Sequence, residues 1–310
     1  MGIMTKRGAM EWGYAPSPVQ EILFEGKSFF LKRDDFLHPD FSGNKARKFH
    51  YFLQRDFPEI RRLVSYGSAQ SNAMLSLSVL ARMRGWDFVY YIDHLPKYLR
   101  EHPIGNYRTA LDNGMELRIN SVPSEERRRE DTLFVEEGGR QAEAQEGVRV
   151  LAREVFQWYK QQKLEGLTLF LPSGTGTTAL YLSKAFMLLD APIGVVTTPC
   201  VGDAAYLRRQ FAMLESEERF WPRIMDLPRK YHFGKLYPEF YEIWLKLKAQ
   251  SGVEFDLLYD PKGWLTLLEY AERMEGPILY LHQGGLQGNE SMLPRYRRKF
   301  PKMNEEKGRE

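Results

Sequence analysis

The sequence is poor in the features that mark disulfide-rich, metal-binding or membrane proteins. Its 310 residues include one cysteine, Cys200, which excludes an intrachain disulfide framework. One cysteine and six dispersed histidines form no zinc-binding pattern. No apolar run approaches the length of a transmembrane helix, and the first twenty residues lack the apolar core of a signal peptide. We therefore expect a soluble protein of the reducing cytoplasm, with no metal and no membrane partner.

Net charge is also small. The 44 Lys and Arg residues against 41 Asp and Glu residues leave +3, which is too little to indicate a nucleic-acid partner. The basic run at 295–299 is interpreted as an exposed terminal segment rather than an RNA site. At 43% hydrophobic residues the chain can form one large core or two smaller ones, and we expect two domains.

Apolar runs alternate along the chain with amphipathic stretches. Strands are predicted at 29–31, 63–65, 88–92, 167–171, 193–197 and 278–281, and helices at 72–84, 145–161, 178–189 and 237–250. This alternation is typical of βαβ units, so the predicted fold class is α/β with mostly parallel sheets. Ligands of such sheets bind at the carboxyl ends of strands, so the loops that follow strands are the candidate functional segments.

One lysine stands where a loop can present it. The segment Ser42-Gly43-Asn44-Lys45 supplies turn-forming residues before a helix predicted from Lys45 to about Phe57. The buried face of this helix is expected to hold Phe49, Phe52 and Leu53, with Arg47, Lys48 and Gln54 outside it. A cation in the first turn is disfavoured by the helix dipole, which favours a neutral amine that can attack a carbonyl. Lys45 is therefore a candidate covalent catalyst; the alternative is an ordinary solvated lysine.

Two further loops carry polar groups after predicted strands. Residues 66–72 are rich in hydroxyls and amides, and Ser71 or Asn72 is either a helix N-cap, a catalytic group, or both. Residues 282–288 contain adjacent glycines that allow a planar ligand to approach the backbone, although a plain glycine turn beside a buried His282 explains the pattern equally.

Residues 172–178, Pro-Ser-Gly-Thr-Gly-Thr-Thr, connect a predicted strand to a helix and form a candidate phosphate site. Glycine backbone N–H groups, hydroxyls and a helix N-terminus all favour an anion. The loop lacks the Gly-Lys-Ser/Thr of a Walker motif, but Gly174, Gly176 and Ala179 match G-x-G-x-x-A. A dinucleotide site also needs an acidic residue at the end of the next strand, and Asp203 lies well beyond that point. A phosphate without a ribose therefore fits better than NAD.

Taken together, these segments resemble the 1-aminocyclopropane-1-carboxylate deaminase and D-cysteine desulfhydrase family. The resemblance covers about residues 29–286. It is carried by FFLKRDDFLHPDFSGNKARK (29–48), SYGSAQSNAMLS (65–76), EEGGR (136–140), LPSGTGTT (171–178), residues 231–261 and LHQGGLQG (281–288). It implies a pyridoxal-phosphate enzyme with the two-domain tryptophan synthase β-like fold (fold type II), with helices on both faces of twisted sheets. The implied domains are 1–48 with 166–310 (large, cofactor-binding) and 49–165 (small), in a homodimer.

The resemblance also implies roles for individual residues. Lys45 would hold pyridoxal phosphate covalently and later move the proton released at the substrate Cα. Asn72 would hydrogen-bond the phenolic oxygen of the cofactor, and Ser71 would act on the substrate as a nucleophile or proton-handling hydroxyl. The implied phosphate-binding residues are Ser173, Gly174, Thr175, Gly176 and Thr177. The implied residues around the small amino-acid substrate are Asn44, Gln70, Ser71, Gln283 and Gly284.

The sequence departs from the family pattern at the site itself. In this family an Asp-Pro precedes Val-Tyr-x-Gly-Lys, whose tyrosine faces the substrate. Matched to Asp260-Pro261-Lys262-Gly263-Trp264, that tyrosine and its neighbour are missing. Thr175 stands where a glycine is usual. Gln283 replaces a smaller or apolar residue, which would place a neutral amide at the ring nitrogen.

These departures rank the functional hypotheses. We expect β-elimination of D-cysteine or a related amino acid to pyruvate or another 2-oxo acid and ammonia, ahead of deamination of the cyclopropane amino acid. A diverged protein that binds the cofactor or an amino acid without turnover is a further alternative, suggested by the missing tyrosine. NAD-linked oxidoreduction is the least favoured.

Overall fold

The computed structural model describes residues 3–4, 10–11, 15–41 and 43–305, so Ser42 lies outside the described residues. The strands are β1 (Ile3–Met4), β2 (Met10–Glu11), β3 (Val19–Phe24), β4 (Lys27–Arg33), β5 (Arg62–Tyr66), β6 (Asp87–Ile92), β7 (Met115–Ile119), β8 (Thr132–Phe134), β9 (Leu167–Ser173), β10 (Ile193–Pro199), β11 (Arg223–Ile224) and β12 (Ile278–His282). The helices are α1 (Gly43–Gln54), α2 (Asn72–Arg84), α3 (Lys97–Glu101), α4 (Gly105–Asp112), α5 (Ala144–Gln162), α6 (Thr177–Leu188), α7 (Ala204–Ala212), α8 (Pro238–Ser251), α9 (Asp260–Tyr270), α10 (Asn289–Lys299) and α11 (Lys302–Glu305).

The larger sheet has six strands in the order β11-β10-β9-β12-β4-β3. All neighbours pair in parallel except β3 and β4, which form an antiparallel hairpin at one edge. Helices cover both faces, because alternate residues of a central strand enter different cores. Leu169 of β9 packs with residues of α5 and α6, whereas Phe170 packs with residues of α8 and α9.

The smaller sheet has four parallel strands in the order β7-β6-β5-β8. Its main core is shared with α1 and α2, to which Phe49, Phe52 and Leu77 contribute. α1 also reaches the larger sheet, because Arg47 forms an ion pair with Asp34, directly after β4. The structure thus has two sheets joined by the helix that carries Lys45. The domain boundaries predicted at residues 48 and 166 remain a prediction.

Most predicted elements lie where the periodicity placed them. The helix at 72–84 is found with its predicted bounds, and all six predicted strands are present, each longer than predicted at one or both ends. The helix expected to continue to about Phe57 ends at Gln54. Among the described residues, no helix has both the length and the apolar character that crossing a membrane requires.

The exposure predicted for Arg47 and Lys48 is wrong. Both side chains are buried, whereas Gln54 is exposed as expected. The prediction assigned long cationic side chains to solvent, as is usual. Arg47 is instead enclosed between the carboxylates of Asp34 and Glu154, and Lys48 points into the site described below.

Candidate active site

A cavity of about 270 Å³ lies at the carboxyl ends of β5, β9 and β12 and at the start of α1. All twelve residues predicted from sequence line it: Asn44, Lys45, Gln70, Ser71, Asn72, Ser173, Gly174, Thr175, Gly176, Thr177, Gln283 and Gly284. Segments separated by more than a hundred residues therefore meet in one place, as the rule for parallel sheets predicts. The chemical roles of these residues remain predictions.

Lys45 occupies the first turn of α1, as predicted. The turn depends on Gly43, whose φ is +66° and whose added Cβ would lie 1.7 Å from the carbonyl oxygen of Gln283. Burial lowers the pKa of Lys45 to about 8, an effect that the carboxylate of Asp256 partly opposes. A substantial fraction of this amine is consequently neutral, and therefore nucleophilic, near neutral pH.

An oriented chain of side-chain amides ends at Lys45. Gln283 Nε2 donates to the carbonyl oxygen of Pro172 at 2.7 Å, so its Oε1 faces Asn44 and accepts from Asn44 Nδ2 at 2.9 Å. The remaining oxygen, Asn44 Oδ1, accepts from Lys45 Nζ at 3.2 Å. Because the carbonyl of Pro172 can only accept, it sets the direction of the whole chain. Both ends of the Gln283 amide have partners within the protein, which argues against its predicted position at a cofactor ring nitrogen.

This chain yields a test of the Lys45 environment. In an Asn44→Asp variant, a carboxylate would lie beside the amine and could no longer donate to Gln283. We expect the pKa of Lys45 to rise by roughly one to two units, because a nearby negative charge favours the ammonium form. The measurement is the pH dependence of Lys45 methylation by formaldehyde and borohydride in the cofactor-free protein, followed by peptide mass. An unchanged midpoint would contradict the assigned contact between Asn44 and Lys45.

The loop between β9 and α6 has the geometry expected of an anion site. Gly176 has φ of +71°, and an added Cβ would lie 2.4 Å from the ring of Phe211. The hydroxyls of Thr175 and Thr177 are 2.9 Å apart, and the buried Thr178 hydroxyl has no hydrogen-bond partner among the described residues. The first residues of α6 line the cavity, which places a positive helix terminus there.

Ser173 differs from its neighbours in this loop. Thr197 Oγ1 donates to the carbonyl oxygen of Leu171 at 2.8 Å, so its remaining contact with Ser173 Oγ, at 2.6 Å, uses the proton of Ser173. The Ser173 hydroxyl is therefore not free to donate to an anion. The predicted phosphate role of Ser173 is reduced to its backbone and to placing the loop.

Lys48 is a functional candidate that the sequence analysis missed. Its Nζ donates to the carbonyl oxygen of Gly138 at 3.0 Å and approaches Thr175 Oγ1 at 3.5 Å. No carboxylate pairs with it among the described residues. Burial, with the nearby charges of Lys45 and Arg140, lowers the pKa of Lys48 well below its usual range. The available signal was its spacing, since residues three apart on a helix share a face.

The loop after β5 is tied to two helices by its side chains. Ser71 is the N-cap of α2: its Oγ accepts the backbone N–H groups of Ala73 and Met74 at 3.1 and 3.4 Å. Its hydroxyl proton is not used in these bonds and is available to the neighbouring hydroxyl of Tyr90 or to a ligand. Gln70 donates to the carbonyl oxygen of Ile104 and accepts from the N–H of Tyr107, so its amide already ties this loop to α4.

His282 is a buried histidine with both ring nitrogens partnered, as the simpler sequence interpretation proposed. Its Nδ1 accepts the N–H of Gly284 at 3.2 Å, so Nε2 carries the proton and donates to the carbonyl oxygen of Glu254 at 2.8 Å. Burial lowers the pKa of His282, which keeps the ring neutral. The histidine shapes the glycine loop and does not line the cavity.

The chain is similar to known proteins over most of its length. No protein-family model matches the chain. The protein named "Putative 1-aminocyclopropane-1-carboxylate deaminase" from Pyrococcus horikoshii is 24% identical over 300 residues, which cover 89% of each chain. Its namesake from Thermotoga maritima is 23% identical over 301 residues, covering 88% of this chain and 95% of the relative. Over most of its length the chain is therefore similar to proteins named as putative 1-aminocyclopropane-1-carboxylate deaminases.

The solved structures show the same fold. An ACC deaminase homologue superposes with a TM-score of 0.75 at 21% identity, covering 91% of this chain and 93% of that structure. A threonine deaminase superposes with a TM-score of 0.63 at 14% identity, covering 87% of this chain and 92% of that structure. The predicted fold class, the fold type II architecture of pyridoxal-phosphate enzymes, is confirmed.

A tyrosine lines the cavity although the sequence analysis predicted that the family tyrosine is missing. Tyr259 lines the cavity, so the alignment to Asp260-Pro261 was wrong by four residues. Read as Asp-x-x-Tyr-x-x-Lys, residues Asp256, Tyr259 and Lys262 match the family segment without a deletion, with Pro261 in place of its glycine. The motif is present in the sequence, but it was matched to the Asp-Pro dipeptide, which lies four residues after Asp256.

Two buried carboxyl groups accompany this tyrosine in the cavity lining. Asp256 accepts the backbone N–H groups of Leu258, Tyr259 and Asp260, and so caps the start of α9. Burial raises the pKa of Asp256 to about 6 and raises that of Asp260 well above its usual range. Asp260 accepts from the hydroxyl of Tyr280 at 2.6 Å. Neither carboxylate was predicted as a site residue.

Asp203 does not lie where a dinucleotide site would need an acidic group. Asp203 caps α7, where its carboxylate accepts the N–H of Tyr206 at 2.8 Å. It is therefore occupied at a helix terminus rather than at the end of β10, where a ribose would need it. This geometry favours a phosphate group without a ribose.

Proposed function

We propose that this chain is a pyridoxal-phosphate-dependent lyase that deaminates a small amino acid. The observation that carries the proposal is the meeting of Lys45, an amine with a pKa of about 8, with a phosphate-type loop in one cavity. An amine for covalent attachment and an anion site beside it are the two features that pyridoxal phosphate needs from a protein. The similarity to proteins named as putative 1-aminocyclopropane-1-carboxylate deaminases supports the same proposal.

The residues present fit this cofactor. Lys48 is a buried amine whose contacts are the neutral carbonyl of Gly138 and the hydroxyl of Thr175, and the Thr178 hydroxyl is buried without a hydrogen bond among the described residues. A phosphate would favour the charged form of Lys48 and would accept a hydrogen bond from the Thr178 hydroxyl, which is costly to leave unpaired. Lys48, the first turn of α6 and the loop residues Gly174, Thr175, Gly176 and Thr177 would hold the phosphate. Lys45 would hold the aldehyde carbon, and Asn72 the phenolic oxygen.

The chain's own groups would handle the protons. Bound pyridoxal phosphate supplies an electron sink for charge that develops at the substrate Cα. Lys45 Nζ accepts the Cα proton, and a pKa of about 8 suits an amine that must both take up and release a proton near neutral pH. Burial, reinforced by Asp256, raises the pKa of Tyr259, so its phenol keeps its proton and can donate it on the substrate side.

A D-cysteine-type substrate fits Lys45 best. Its β-elimination breaks the Cα–H and Cβ–S bonds, and uptake of water then gives pyruvate, ammonia and sulfide. This reaction uses a base at Cα, which the neutral amine of Lys45 provides. The cyclopropane amino acid has no Cα–H bond, so its ring opening would depend on Ser71 and Tyr259. Because Tyr259 lines the cavity, deamination of the cyclopropane amino acid is the second candidate function.

The decisive experiment combines a spectrum, a chemical trap and a product assay. We expect the purified or reconstituted protein to absorb as a bound pyridoxal-phosphate protein, and borohydride to fix the label on the peptide of Lys45. Incubation with D-cysteine should release pyruvate, ammonia and sulfide in equal amounts, with L-cysteine as the stereochemical control. The cyclopropane amino acid should be tested for 2-oxobutyrate. Cofactor bound at Lys45 without product from either substrate would support the non-catalytic alternative.

The proposal includes a cytoplasmic homodimer. The family resemblance suggests the dimer, and the free, buried Cys200 is compatible with a reducing compartment. Light scattering of the purified protein would measure its mass in solution. A monomeric mass at micromolar concentration would contradict the homodimer without affecting the cofactor assignment.

A further inference from the structure

Asn106, at the start of α4, is a buried amide in contact with a predicted cofactor ligand. Its side chain is fully buried, and its Nδ2 donates to the backbone carbonyl oxygen of Gln70 at 3.0 Å and to Asn72 Oδ1 at 2.7 Å. Asn106 Oδ1 has no hydrogen-bond partner among the described residues. Both protons of one amide are thus used, while its oxygen is left unsatisfied in the interior.

The direction of these bonds follows from the backbone. The carbonyl of Gln70 can only accept, so Asn106 must turn its NH2 group toward it. The second proton of the same NH2 group then meets Asn72, which must present its oxygen. Asn72 Nδ2 consequently points away from Asn106. The unpaired oxygen of Asn106 shows that this orientation is kept although it leaves an acceptor buried without a donor.

The freed NH2 group of Asn72 faces the site. It has no partner among the described residues, Asn72 lines the cavity, and an added Cβ on Gly285 would lie 2.6 Å from Asn72 Nδ2. The glycine loop therefore passes directly over this amide. Without Asn106, Asn72 could present either its oxygen or its nitrogen to a ligand.

We propose that Asn106 is a positioning residue that fixes Asn72 with its hydrogen-bond donor toward the cofactor. The inference rests on the proposed function, because the group that receives the bond is the phenolic oxygen of pyridoxal phosphate. A fixed donor stabilises the ionised form of that oxygen. The opposite orientation would place two acceptors against each other.

A one-atom substitution reverses the orientation. In Asn106→Asp, the side chain keeps its size but can no longer donate to Asn72, so Asn72 turns its NH2 group toward the new carboxylate and its oxygen toward the cofactor. We expect the dissociation constant for pyridoxal phosphate to rise at least about tenfold. We also expect the pH midpoint of the bound cofactor's absorbance change to move upward, because the ionised oxygen loses its donor.

Two controls separate this role from a general structural defect. Asn113→Asp alters the C-terminal end of the same helix, where Asn113 Nδ2 donates to Ser78 Oγ, and should leave the absorbance midpoint unchanged. Asn106→Leu removes the amide without reversing Asn72, so its midpoint should lie between those of the wild-type and Asn106→Asp proteins. Equal midpoints in wild-type and Asn106→Asp proteins, both with cofactor bound, would overturn the proposal.

A second measurement does not depend on the cofactor. In cofactor-free protein labelled with ¹⁵N-asparagine, the side-chain amide protons of Asn106 should exchange with solvent at least about tenfold more slowly than those of the exposed Asn120, because both are hydrogen-bonded. Equally fast exchange would overturn the assigned orientation. A wild-type protein that takes up no pyridoxal phosphate would contradict the proposed function, and the exchange rates would still decide the orientation.

Discussion

Replacing Lys45 with methionine is expected to abolish borohydride-stable attachment of pyridoxal phosphate and to lower turnover by roughly 10²–10⁴-fold. Methionine preserves much of the length and volume of the side chain but has no amine to bind the aldehyde or to carry the Cα proton. The measurement is the mass of the reduced peptide, together with the rate of 2-oxo acid formation. If the label appears on another lysine and 2-oxo acid forms at the wild-type rate, the assignment of Lys45 is wrong.

Lys48 provides the matched variant, since it is a second buried lysine three residues away. Lys48→Met should keep the label on Lys45 but raise the dissociation constant for pyridoxal phosphate about 10- to 100-fold, through the loss of a charged donor to the phosphate. In the cofactor-free protein, however, Lys48→Met should not lower the free energy of unfolding.

The pKa of Lys48 is lowered in the folded state, so the unfolded chain binds its proton more tightly. Above the pKa that Lys48 has in the unfolded chain, the amine is neutral in both states and its charge costs no stability. As pH falls below that value, the unfolded chain takes up the proton first, so the free energy of unfolding decreases. The cofactor-free methionine variant should therefore be at least as stable as the wild-type protein at neutral pH. A clearly less stable variant would show that Lys48 has a structural role.

Removing the guanidinium of Arg47 is expected to cause the largest loss of stability, about 3–5 kcal/mol in the free energy of unfolding. Arg47 is buried and forms ion pairs with Asp34 at 2.8 Å and Glu154 at 2.6 Å, both also buried. In Arg47→Met, Lys32 would still pair with Glu154, but Asp34 would keep only the hydroxyl of Ser17. Urea denaturation would measure the loss of stability. The same variant should also bind pyridoxal phosphate less tightly, because this network anchors the helix that carries Lys45.

The controls for Arg47 test whether an unpaired charge causes the loss. Arg55, directly after α1, forms an exposed ion pair with Glu146, so Arg55→Met should change stability little. Adding Asp34→Asn to Arg47→Met should recover part of the loss, because it removes the carboxylate that the first change left buried. A double variant that is no more stable than Arg47→Met would point to lost packing instead.

The elements predicted best were those whose signal is local. α2 begins at Asn72 and ends at Arg84 as expected, because Ser71 caps its start and Gly85 permits the left-handed conformation that ends it. The phosphate loop was predicted from the order of strand, glycines, hydroxyls and helix, which are all neighbours in the chain. Lys45 was found in the same way.

The residues missed were those whose environment is assembled from distant segments. Arg47 and Lys48 looked like solvated cations because Asp34, Glu154 and Gly138, which surround them, belong to other parts of the chain. Tyr259 was lost because two alignments of one short motif competed, and the local sequence favoured the wrong one. Its position in the cavity resolved the choice.

The sequence by itself determined the alternation of strands and helices, the place of Lys45 in the first turn of a helix and the loops that surround it, since hydrophobic period, turn chemistry and capping are properties of neighbouring residues. The tertiary structure alone decided which polar atoms face the cavity. The direction of the Asn44 and Asn72 amides is set by the backbone carbonyls of Pro172 and Gln70 through Gln283 and Asn106. A side-chain amide can present either a donor or an acceptor, and only its folded surroundings select one of them.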